Sequence, residues 1–85
     1  MTYQKILYYT ANRIPLSLKD LCGFDHSVVD LEDAIEDAKD VDDLLVKLTN
    51  MRLLRRVLFD KENESRIRLK CLDCIGNVSY LEIRK

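Results

Sequence analysis

Glycine and proline are scarce in this chain. Two glycines and one proline among 85 residues leave little room for long irregular connections, so nearly all of the chain is expected to be regular structure. Cysteine is scarce and odd in number: three residues exclude a fully paired disulfide framework. A reducing, cytoplasmic setting is therefore expected, where a C-x2-C step binds metal or does redox work more often than it staples a fold. The segment Met1–Tyr9 carries an apolar run of only four residues, which is too short for a signal core or a membrane span. There is one histidine, His26, and hence one imidazole base. With no glycine-rich phosphate loop, no nucleophile elbow and no identifiable nucleophile partner for His26, a turnover enzyme is not expected.

What is present fits one domain spanning residues 1–85. A chain of this size buries only about 60% of its unfolded surface, so its core is marginal and a staple would help. Charge is plentiful, at 34% of residues, and nearly balanced at −1 overall, but it is unevenly placed. Asp20–Asp43 holds ten acidic residues and one lysine, whereas Leu44–Lys70 holds eight Lys or Arg and three acids. Such polarity suits either two solvated faces of opposite sign or a partner-facing acidic surface beside a basic one.

The pattern predicts an α+β fold: N-terminal helices, then a small antiparallel C-terminal sheet. Residues 3–12 read as a first helix, with Tyr3, Leu7 and Thr10 or Ala11 on one face and Ile6 with Tyr9 on another, although the tyrosines and the isoleucine also suit a strand. Pro15 biases Ile14–Leu16 toward a short extended segment. Ser17 suits an N-cap for a helix from Leu18 to Cys22, ended by Gly23. A further helix is expected from Ser27 or Asp30 to about Lys39, and another after Asp40, whose pairing with Asp43 makes a weak capping box. From Leu53 the period becomes two. Strands are expected over 53–59, Arg66–Cys71 and Val78–Ile83, separated by polar turns. In the second of these, Ile67, Leu69 and Cys71 face inward and Arg66, Arg68 and Lys70 outward.

The stretch Val41-Asp-Asp-Leu-Leu-Val-Lys-Leu-Thr-Asn-Met-Arg-Leu-Leu-Arg-Arg-Val, with its polar tip and Arg66-Ile-Arg-Leu, resembles the third helix and wing of winged helix-turn-helix domains. Ile14-Pro-Leu-Ser-Leu-Lys-Asp-Leu looks like that family's short strand entering its second helix. The resemblance implies a winged-helix-like, transcription-regulating, DNA-binding module. Two features depart from it. The segment 23–40 is long for the usual connection, and the would-be recognition helix opens on Asp40, Asp42 and Asp43, whose charge opposes entry into a phosphate-lined groove.

Cys22 and His26 form a C-x3-H step, and Cys71 and Cys74 a C-x2-C step, which together are a complete Cys3His set for structural zinc. The segment Cys71-Leu-Asp-Cys-Ile-Gly76 is similar to a zinc knuckle, although its glycine comes one place late. Such a site would tie the region near residue 22 to the C-terminal hairpin. The alternative is that Cys22 and Cys71 pack as small core hydrophobes. A thioredoxin-like dithiol lacks the helix N-terminus that would lower its pKa.

Two binding functions compete. In one, Arg52, Arg55, Arg56, Arg66, Arg68 and Lys70 track nucleic-acid phosphates; the bland counterpart is edge-strand protection by exposed cations. In the other, Asp30, Glu32, Asp33, Glu36, Asp37 and Asp40 form an acidic surface for a basic protein partner. A homodimer through the N-terminal helix, using Tyr3, Tyr8 or Tyr9, is a further expectation.

Overall fold

The computed structural model describes residues 1–22, 28–51 and 56–85. The chain runs as strand β1 (Lys5–Thr10), helices α1 (Leu18–Cys22), α2 (Val28–Asp37) and α3 (Val41–Asn50), then strands β2 (Arg56–Glu62), β3 (Arg66–Leu72) and β4 (Val78–Arg84). The four strands form one antiparallel sheet in the order β1-β4-β3-β2.

The class is α+β, but the chain opens with a strand. Residues 5–10 pair with β4 along their whole length, from Lys5 opposite Arg84 to Thr10 opposite Ser79. The sequence Lys-Ile-Leu-Tyr-Tyr-Thr is rich in aromatic and β-branched residues and satisfies a period of two as well as a helical one. A partner some seventy residues away decides between them, by burying Tyr8 to 4% exposure and placing its hydroxyl 2.8 Å from Ser79 Oγ. This also removes the N-terminal helix proposed as a dimer surface, because Tyr8 lies in the core. After β1 the chain turns back on itself. The Thr10 amide donates to the Ile14 carbonyl at 2.9 Å, the Leu16 amide donates to the Tyr8 carbonyl at 2.8 Å, and Pro15 bridges to Tyr9. The extended segment expected at 14–16 is this return.

The helices begin where local chemistry starts them. The Ser17 Oγ accepts from the Lys19 amide at 3.2 Å, and the Asp20 carboxylate accepts from the Ser17 amide at 3.1 Å. Asp40 caps α3 by accepting from the Asp43 amide at 2.8 Å, while Asp43 reaches back to the Lys39 amide at 2.9 Å. The caps expected at Gly23 and Ser27, and the strand start at residues 53–55, lie outside the described residues.

Strand alternation sorts the sheet into two faces. Ile67, Leu69 and Cys71 of β3 and Leu81 and Ile83 of β4 point to one side. There they form a single core with Leu21, Cys22, Leu31, Ile35, Leu44 and Leu48 from the helices, each no more than 1% exposed. The helices thus cover one face and leave the other open. Among the described residues, no helix is long and apolar enough to cross a membrane.

Truncating the centre of this core should be costly. Leu69→Ala is expected to lower unfolding free energy by about 3 kcal/mol in urea titrations, whereas Lys61→Ala, on an exposed edge position, should stay within about 0.5 kcal/mol.

Candidate functional site

The open face is built by the alternate residues of each strand, which the register aligns in cross-strand rows. Lys5, Arg84 and Arg66 form one row across β1, β4 and β3; Leu7, Glu82 and Arg68 form the next; Tyr9, Tyr80 and Lys70 form the third. Leu58 and Arg56 of β2 continue the face opposite Lys70 and Leu72. Arg66, Arg68 and Lys70 therefore share one face as the pattern predicts. Their strand is interior, however, so edge protection does not account for them. The sheet edges are β1 and β2.

Like charges directly opposite one another destabilise a sheet, and the first row holds three cations. Glu82, in the middle of the second row and only 4% exposed, offsets two of them, Arg84 and Arg66. Its carboxylate accepts from Arg84 Nε at 3.0 Å, from the Tyr9 hydroxyl at 3.2 Å and, at the limit of a hydrogen bond, from Arg66 at 3.5 Å. Burial alone would raise the pKa of Glu82. The hydrogen bonds from Arg84 and Tyr9, with the charges of Arg84 and Arg66, outweigh that and hold it below the usual carboxylate value. Beside it, a register shift between Phe59 and Lys61 leaves Asp60 as an extra residue, and Asp60 accepts from Arg68 Nε at 2.6 Å. The same guanidinium lies 4.8 Å from the centroid of the Tyr80 ring, whose centroid is 5.9 Å from that of Tyr9. Arg68, Tyr80 and Tyr9 are thus in sequence-remote but continuous contact across the sheet.

Of the cationic residues named from sequence, Arg56, Arg66, Arg68 and Lys70 come together here, and Arg52 and Arg55 lie outside the described residues. Lys5, Tyr9, Tyr80, Glu82 and Arg84 were missed. The alternation of 78–84 signals which side chains share a face. Only the strand order, with β4 between β1 and β3, shows that they adjoin Arg66–Lys70.

The acidic residues lie on the helical layer, on the other side of the sheet. Asp33, Glu36 and Asp37 of α2 are exposed, Asp30 is exposed near its start, Glu32 is half-buried, and Asp40 serves as the cap of α3. Burial, followed by the charges of Glu32, Glu36 and Asp33, raises the pKa of the Tyr3 hydroxyl. Among the described residues, no ion pair involves Glu32, Asp33, Glu36, Asp37 or Asp40.

Three of the candidate zinc ligands, Cys22, Cys71 and Cys74, lie among the described residues. Cys22 and Cys71 are fully buried, Cys74 is exposed in the turn after β3, and His26 lies outside the described residues. Burial, and then the charge of Asp30, raises the Cys22 thiol pKa. In the 73–77 turn, the amides of Ile75 and Asn77 donate to Asp73 Oδ1 at 3.0 and 2.8 Å. A zinc knuckle would aim such amides at sulfur. Gly76, at φ +91°, supplies the positive φ that closes this turn. Among the described residues, no three His, Cys, Asp or Glu side chains group in a way that could hold a metal.

Comparison with known proteins gives no match to any family model, any curated protein or any solved structure.

Two predictions follow from this geometry. Glu82→Gln should cost about 2 kcal/mol at neutral pH, through loss of charge-assisted hydrogen bonds. Because the folded-state pKa of Glu82 is depressed, its contribution is complete above the unfolded carboxylate value of about 4.3 and is lost as pH falls through the folded one. The stability gap between wild type and variant should therefore close on acidification, as read by denaturant titration at stepped pH. The thiols make a separate case: packed as core residues, Cys22→Ser and Cys71→Ser should each cost about 1–2 kcal/mol, and a chelator should leave the thermal midpoint in place. A midpoint lowered by the chelator would support the zinc site instead.

Proposed function

We propose that this chain is a non-catalytic regulatory binding module that holds a nucleic-acid backbone against the open face of its sheet. The observation that carries this reading is the charge of that face: Lys5, Arg56, Arg66, Arg68, Lys70 and Arg84 stand against Asp60 and Glu82. The cations are spread over four strands on a surface free of helices, and Tyr9 and Tyr80 give it an aromatic centre. Phosphate contacts of this kind position a strand without reading its sequence, and tyrosines on a sheet suit exposed bases. Arg52 and Arg55 belong to the same proposal by their place in the sequence.

The order α3–β2–β3 also supports the winged-helix-like reading and a transcription-associated role. Within that reading α3 serves the core and not the groove. Its first turn carries Asp42 and Asp43, and its apolar face, with Leu44 and Leu48, is buried.

A second reading rests on the acidic face of α2. Glu32, Asp33 and Glu36 lie close enough together to act jointly on Tyr3, and a basic segment of a protein partner would relieve their mutual repulsion. The two readings use opposite sides of the molecule, so both can hold.

Fluorescence anisotropy with a short labelled single-stranded oligonucleotide separates them. Binding should weaken between about 50 and 200 mM salt, with a log–log slope of about −0.7 per phosphate contacted. Lys70→Ala should reduce both the affinity and the slope. Absence of binding at low salt would sink the sheet-face reading. Saturable binding of a lysine-rich peptide, weakened in Asp33→Asn/Glu36→Gln, is what the second reading expects.

A further inference from the structure

At the β1 edge of the open face, the turn that follows β1 stands beside the sheet and borders an open pocket of about 220 Å³. Its charged lining is Arg13 from the turn, Arg66 from β3, and Glu82 and Arg84 from β4; Leu7, Tyr9 and Pro15 supply an apolar wall. Three arginines and one glutamate thus line the pocket. Glu82 is fully engaged with Arg84, Tyr9 and Arg66, and among the described residues no carboxylate pairs with Arg13. The side chains of Arg66 and Arg84 remain 45% and 50% exposed, so both keep donors free.

From this geometry we infer that the pocket binds a phosphomonoester dianion. The excess of two positive charges matches a dianion and is left half unmet by a carboxylate or a phosphodiester. Planar guanidinium forks suit phosphate oxygens, to which they donate in pairs. The volume holds a phosphate with a ring-sized organic group, which Leu7, Pro15 and Tyr9 would cover. Arg13 occupies a left-handed conformation, φ 64°, which glycine adopts at less cost. An arginine there gives up some backbone comfort and places a third cation at the pocket. The site stands whether or not the rest of the face carries a nucleic acid. Its ligand could be a small free phosphate ester or the terminal phosphate of a strand lying on that face.

The test is titration with phenyl phosphate, and with benzoate as the carboxylate control, followed by the Nε–H resonances of Arg13, Arg66 and Arg84. Phenyl phosphate should shift all three saturably and bind about tenfold more tightly than benzoate. Arg13→Gly should fold with an undiminished thermal midpoint and weaken phenyl phosphate about tenfold. No saturable shift, equal affinity for benzoate, or undiminished affinity in Arg13→Gly would each overturn the site. Oligonucleotides with and without a terminal phosphate then identify the source. An advantage for the phosphorylated strand that disappears in Arg13→Gly assigns the pocket to strand ends, and equal affinities assign it to free phosphate esters. Oligonucleotide binding that survives while phenyl phosphate fails sinks the pocket and spares the sheet-face reading.

Discussion

Glu82 sits where Lys5, Arg84 and Arg66 would otherwise repel one another across three strands. A carboxylate in that position is expensive, because burial costs it most of its hydration. It is tolerated because three donors reach it, two of them charged. The compensation runs both ways. Without the carboxylate the cationic row is unstable, and without the row the carboxylate is a buried charge with little to hold it. The open face is therefore a coupled network, extended through Tyr9 and Tyr80 to Arg68 and Asp60, and its side chains are already oriented before any ligand arrives.

The charge imbalance along the sequence becomes an imbalance through the thickness of the molecule. The helices α2 and α3 carry most of the acidic block and pack on one side of the sheet, and the cationic residues of β2, β3 and β4 lie on the other. The hydrophobic core separates the two. A polyanion approaching from the sheet side is attracted, and one approaching from the helical side is repelled, so the field selects an orientation before contact is made.

The parts of this architecture legible in the sequence are those fixed by near neighbours. The Ser17 and Asp40 caps, the helices after them, and the inward and outward sets of Arg66–Cys71 follow from spacing and local hydrogen bonding. The N-terminal strand was not legible, because Lys5–Thr10 fits two periods and only its distant pairing with Val78–Arg84 chooses one. The same ignorance hid the site. Arg66, Arg68 and Lys70 could be placed on one face, but Tyr9, Glu82 and Arg84 join them only through the strand order. The cysteine pair straddles an element boundary: Cys71 falls on the buried side of β3 and Cys74 beyond the strand's end.

The strand order β1-β4-β3-β2 places β4, the last of the four strands in chain order, in the sheet's interior. Until residues 78–84 leave the ribosome, β1 has no neighbour and β3 is covered on one side only. Helices and the β2–β3 hairpin can form early, from local contacts, but the sheet closes in a late, long-range step. The nascent chain therefore carries an unpaired Ile-Leu-Tyr-Tyr segment until β4 emerges, an interval in which it is exposed to mispairing.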